Sequence, residues 1–175
     1  MRDNGFRNDP RAVAGLSDSD GANGGDATGV ILLSIIRSVQ HDLGAHPADL
    51  MWVARRIGED TRMRDLLIVA GMRPDMSDFD LLDTIGDIPS DLMNRMPDDP
   101  LMLARTRRMA EAMAGLSGLP VPLAVAAYLA WAEGDMLLAA RHAYAALALD
   151  DSANPLAALV ITMFELDITI GKCVR

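Results

Sequence analysis

Three histidines, one cysteine and one lysine are the side chains from which most reactive chemistry would have to be built in this sequence. His41 and His46 stand five apart with Gly44 between them, and His142 lies far along the chain beside Arg141. Two zinc ligands on one helix need i, i+4 spacing, so each imidazole reads as structural. Cys173 stands two residues from the last residue, where no pocket readily encloses it, and no Gly-x-Ser-x-Gly elbow occurs anywhere. Lys172 is the only lysine, so no earlier lysine can form a Schiff base or touch a nucleotide phosphate. The glycine-rich stretch Gly21–Thr28 precedes a helical pattern, as a phosphate loop would. It has no lysine and carries Asp26, whose charge repels phosphate. The acidic runs Asp18-Ser19-Asp20-Gly21 and Asp78-Phe79-Asp80 lack the Gly at loop position six and the Glu at twelve that a calcium loop needs. They read as solvated helix caps. No catalytic, cofactor-binding or metal-ligating residue is assigned, and the balance stands against an enzyme. A pair of carboxyls in unlike environments is the one catalytic device the acid-rich composition leaves open.

Partner binding remains. Arg105, Arg107 and Arg108 form the only basic cluster. It reads as a solvated face with an Arg107–Glu111 pair, the sharper alternative being a dock for an acidic partner, including this chain's own Asp-rich segment. Met51, Met63, Met72, Met76, Met93, Met96, Met102, Met109 and Met113 could line an adaptable groove, but core filling is the favoured reading. The 16 basic and 25 acidic residues leave a net charge of −9, which excludes a general nucleic-acid binder. There are 15 Arg and 21 Asp against a single Lys and 4 Glu, a bias that points to a GC-rich genome.

The elements that must position these residues follow from periodicity. The 175 residues are enough for one domain with its own core. Half are hydrophobic and only 4% aromatic, so that core is built from Ala, Leu, Ile, Val and Met. Residues 1–27 have five Gly and no apolar period and read as a mobile arm, followed by one helical domain over 28–170 and a tail at 171–175. Leu32, Ile35, Ile36, Val39 and Leu43 make one helical face, with Gly44 placed to end the helix. A second helix follows Pro47 with Leu50, Val53, Ala54 and Ile57 inward and Gly58 interrupting it. Asp60 or Thr61 caps a third over Arg62–Ala70, with Met63, Leu66, Leu67 and Ala70 inward.

Arg73–Pro100 carries eight Asp against two Arg. Ser77 with Asp80 resembles a capping box leading into Leu81, Leu82 and Ile85, and Ser90 can cap Asp91–Met96. Asp99 and Pro100 start a helix to about Ala114. Helices Pro122–Glu133 and Met136–Leu149 follow, then one opened by Pro155 with Leu156, Leu159, Val160, Met163 and Phe164 on its stripe. No segment alternates as a strand would. The fold class is all-α, a compact bundle of about eight helices. No apolar run reaches the roughly 20 residues needed to cross a bilayer, and no signal-peptide core is present, so the reading is a cytoplasmic protein with no membrane contact.

Gly134-Asp135, Ala139, Ala146-Leu147 and Leu149-Asp150 resemble a tetratricopeptide-type helical hairpin. Gly134 would take positive φ, Asp135 would cap the second helix, Ala127, Ala139 and Ala146 would line the close approach, and Glu133 would face solvent. No second copy follows at a 34-residue spacing, so the hairpin belongs inside a globular bundle. Pro122–Trp131, Ala132–Asp135, Leu138-Ala139 and Ala145–Asp150, with Arg64-Asp65-Leu66-Leu67 upstream, also resemble the C-terminal helical part of the actinobacterial domain-of-unknown-function 4192 family. That resemblance covers roughly residues 50–165. It implies a helical fold and carries no activity, cofactor or site residue. Members of that family carry a further N-terminal α/β portion. Two functions are therefore expected. One is a protein-interaction or scaffolding module with a protein partner of unspecified identity. The alternative is the helical C-terminal portion of a larger protein whose catalytic or ligand-binding part lies in an N-terminal α/β region. The sequence specifies neither an activity nor an oligomeric state.

Overall fold

The computed structural model describes residues 24–84, 97–149 and 154–170. Eight helices and no strand occur among them: α1 Gly24–Gln40, α2 Pro47–Glu59, α3 Thr61–Met72, α4 Asp78–Asp83, α5 Pro100–Ser117, α6 Pro120–Ala132, α7 Met136–Leu149 and α8 Pro155–Glu165. The all-α bundle follows from the apolar periodicity. Cys173, the expected Asp18–Gly21 loop, Met93, Met96 and the helix expected over Asp91–Met96 lie outside the described residues.

Helix starts are set by short polar side chains that accept from otherwise orphaned backbone N–H groups. His46 Nδ1 accepts from the Ala48 amide at 3.2 Å with Pro47 in the first turn. Asp60 Oδ1 accepts from the Arg62 amide at 2.9 Å. Ser77 Oγ accepts from the Asp80 amide at 3.1 Å and donates to its carboxylate at 2.7 Å, the capping arrangement expected there. Asp99 Oδ1 accepts from the Leu101 and Met102 amides at 2.9 and 3.2 Å, ahead of Pro100. Asn154 serves α8 in the same way.

Several boundaries move from their expected places. α1 begins at Gly24, upstream of Thr28, because a helix propagates through poor formers once its downstream turns exist. It ends at Gln40 rather than at Gly44. His41 to Leu43 close it, with Asp42 at φ 64 and the Leu43 amide donating to the Ser38 carbonyl at 2.9 Å. That six-residue closure satisfies the last carbonyls and turns Leu43 outward, 78% exposed, away from the core it was expected to join. Gly58 does not break α2, whose ladder runs on to Glu59. α5 continues past Ala114 and Gly115 to Ser117 and stops at Gly118, φ 68. In α8, Leu156, Ala157, Val160 and Met163 are buried, while Leu159 and Phe164 face outward. Ala157 takes the inward place that Leu159 was expected to hold, so the stripe is rotated by part of a turn.

Helix α6 lies at the centre. Every residue from Ala124 to Ala132 is buried, which a helix can be only when packed on all sides. It contacts α2, α3, α5, α7 and α8. Ala127, Ala139, Ala143 and Ala146 are fully buried, and α6 and α7 pack against one another. The hairpin turn takes the expected form: Gly134 has φ 84, its amide donates to Trp131 O at 3.0 Å, and the Asp135 amide donates to Ala130 O at 3.0 Å. Asp135 Oδ1 then accepts from the Leu138 amide at 3.0 Å.

Candidate functional site

Of the described residues that sequence reasoning singled out, His142 meets Glu111, the expected partner of Arg107, whereas the other two histidines take separate roles. His41 is exposed and His46 is spent as a helix cap. No group of three or more His, Cys, Asp or Glu side chains able to hold a metal occurs among the described residues. The described residues of the acidic stretch are more than solvated caps. Asp78 pairs with Arg37 at 3.0 Å, and Asp75 and Asp98 both pair with Arg73, at 3.1 and 2.6 Å. The Arg73 guanidinium holds the Asp75 carboxyl below the usual range. Of the described methionines of the candidate set, Met63, Met72, Met109 and Met113 lie in the core and Met76 packs against it, while Met51 and Met102 are half-buried.

The basic cluster separates in space. Arg105 reaches back to donate to the Gln40 carbonyl at 2.6 Å, Arg108 points to solvent, and Arg107 turns inward, its side chain 13% exposed. Arg107 Nη1 donates to Glu111 at 2.5 Å, the expected pair one turn apart. Arg107 Nε also donates to both oxygens of Glu133, at 3.0 and 2.9 Å. Glu133 is therefore no solvent-facing residue; its side chain is 17% exposed. The missed signal was its place at the end of α6, one residue before a tight turn, where α5 runs alongside.

Burial pushes the Glu133 carboxyl above its ordinary value, against the opposing pull of Arg107, and the nearby charges of Glu111 and Asp135 push the same way. For Arg107, burial works against the charge, but Glu133 and Glu111 outweigh it and hold the guanidinium above its ordinary value.

His142 Nε2 lies 2.9 Å from the same Glu111 oxygen. Glu111 thus joins α5 to α7 while Arg107 joins α5 to the end of α6. These ties fix three helices around an open groove of about 490 Å³. Ala114 and Gly115 of α5, Leu123 of α6 and Leu138 of α7 give it mainly apolar walls, with Glu111 and His142 at one part and Arg141 on the rim. A Cβ placed on Gly115 would meet nothing within 4 Å, so the bare backbone of α5 is open to an approaching group. Arg141 is exposed and its side chain makes no ion pair or hydrogen bond among the described residues. Among the described residues, the lining holds no Ser, Thr, Tyr, Cys or Lys, so it offers no hydroxyl, thiol or amine nucleophile. Its one carboxylate is already engaged by two nitrogenous groups. What the arrangement can do is take up an apolar side chain and set one cation beside it.

Among the described residues, no helix is long and apolar enough to cross a membrane. No protein-family model, curated protein or solved structure matches this chain.

Proposed function

We propose that this chain is a protein-interaction module whose docking surface is the groove between α5, α6 and α7. The observation that carries the reading is the combination in one open groove of apolar walls and an exposed arginine that has no partner among the described residues. Grooves of this kind accept an amphipathic segment, with apolar anchors giving affinity and the cation giving orientation. Two supporting facts concern rigidity. The walls are tied together by Arg107, Glu111, Glu133 and His142, and α6 is buried on every side, so little ordering cost accompanies docking. The tetratricopeptide-like reading of Pro122–Asp150 is consistent with α8 packing on both α6 and α7, as the first helix of a following repeat would.

Site-specific photo-crosslinking tests the proposal. A photoreactive amino acid at Leu138 or Leu123 in cells of the native host should give one adduct of discrete mass. The same probe at exposed Arg55 of α2 should give none, and Arg141→Glu should remove the Leu138 adduct. Equal labelling at Leu138 and Arg55, or no adduct at either groove position, contradicts the reading.

A further inference from the structure

We infer that the groove's occupant is α4 of a second copy of this chain, with Phe79 seated between Leu123 and Leu138 and Asp83 paired to Arg141. The inference rests on the groove reading above and names its partner. Phe79 is 76% exposed, an unusual state for the largest apolar side chain on a helix of six residues. Asp83 is exposed and its side chain makes no ion pair or hydrogen bond among the described residues. The two stand at i and i+4, hence on one face of α4, with Cβ atoms about 6 Å apart. On the groove side, Leu138 and Arg141 stand at i and i+3 on α7, with the same separation of about 5–6 Å. An apolar knob one turn from an exposed carboxylate therefore meets an apolar wall one turn from an exposed guanidinium, neither of them paired among the described residues.

The presentation of Phe79 is fixed from within its own chain. Arg37 Nε pairs with Asp78, Nη1 donates to the Pro74 carbonyl at 3.1 Å and Nη2 to the Met76 carbonyl at 2.7 Å. The segment that leads into α4 is thereby held at three points, and the short helix is presented without ordering cost on docking. The contact has to form between molecules, because α4 packs on α1 and α3 whereas the groove is walled by α5, α6 and α7. It joins two unlike surfaces, so it closes as a two-fold dimer where each copy's α4 reaches the other's groove, and otherwise repeats into rings or chains. With a single aromatic anchor and one ion pair, and with each copy carrying a net charge of −9, the association is weak and concentration-dependent.

Sedimentation velocity of the full chain between about 5 µM and about 1 mM tests this, the range matching dissociation constants of weak contacts. The weight-average mass should rise with concentration. Phe79→Ser and Arg141→Glu should each raise the concentration needed by about tenfold or more, which corresponds to a change of about 1.4 kcal/mol. Arg141→Glu combined with Asp83→Arg should restore association towards wild type. All these positions are exposed, and thermal melts of each variant confirm folding. A chain that stays monomeric throughout overturns the inference and leaves the groove reading to the crosslinking experiment. So does self-association that Leu138→Asp and Arg141→Glu weaken but Phe79→Ser does not, which would put another segment in the groove. Self-association that Phe79→Ser abolishes but Arg141→Glu and Leu138→Asp leave intact overturns it as well, by placing α4 on a different surface.

Discussion

The α1–α5 half of the molecule and the α6–α8 half are held by different means. In the first, long polar side chains cross between helices and end on backbone carbonyls. Arg37 reaches Pro74 and Met76, Arg105 reaches Gln40, and the Gln40 side chain, fully buried, donates to Ala70 O at 2.9 Å and to Thr106 Oγ1 at 3.1 Å. In the second, helix contacts are made by alanine, and polar groups serve mainly the ends: Asp135, Asn154, and the Trp131 indole N–H that donates to Ile168 O at 2.8 Å. The difference follows from side-chain size. Alanine lets two helices approach so closely that no long polar chain fits between them. Where helices are short, as α4 is, they cannot stand alone and need tethers from longer neighbours. The polar half thus has its geometry fixed at a few points. The alanine half presents a smooth, rigid wall, and the groove lies between that wall and α5 of the polar half.

The contrast can be broken most severely at Gln40. Its amide closes the Ala70 carbonyl, which α3 leaves unpaired at its end. Gln40→Leu should cost about 2–4 kcal/mol in urea denaturation, since the buried Ala70 carbonyl loses its donor and the Thr106 hydroxyl keeps only its bond to the Met102 carbonyl. A cost near zero would mean that this junction is not held by polar contacts. In the alanine half, Ala139→Leu should cost about 1–3 kcal/mol through overpacking at the α6–α7 approach. At the turn, Gly134→Val should cost about 1–2 kcal/mol. A Cβ there meets nothing within 4 Å, so the cost is backbone strain alone and Gly134→Asn should recover most of it.

The smallest effect is one of sign. Burial raises the folded-state pKa of Glu133, so the folded chain binds that proton more tightly than the unfolded chain. Its contribution is complete below the ordinary glutamate value and is lost as pH rises through the raised one. Asp60, lowered chiefly by its hydrogen bond with Arg62, runs the other way and loses its contribution as pH falls. Stability measured from about pH 3 to about pH 8 should show wild type losing ground to Glu133→Gln with rising pH and gaining on Asp60→Asn. Equal slopes for the two variants would contradict both assignments.

Much of this arrangement was legible in the residues. The caps at Asp60, Ser77, Asp99 and Asp135 could be read because a cap is a local event between a side chain and amides two or three residues on. The Gly134 turn could be read for the same reason. Leu43 and Leu159 could not. Each fits its helical period, and only the closure at Asp42 and the neighbours of α8 decide which way it faces. The candidate site was legible only in fragments. Arg107 with Glu111 is a one-turn pair visible in any helix, whereas Glu133 joins them across the fold. The groove itself arises from the registration of three helices, which no local pattern encodes.

The central claim is that α6, packed on helices of both halves, makes them one cooperative unit and so keeps the groove preformed. Native-state hydrogen exchange on Gln40→Leu tests it most directly, because the substitution lies in α1 and outside the groove lining. The account predicts that the slowest amides of α6 and α7 lose the same protection free energy as those of α1 and α3. Protection lost in α1 and α3 but unchanged in α6 and α7 would show two independent units and contradict it.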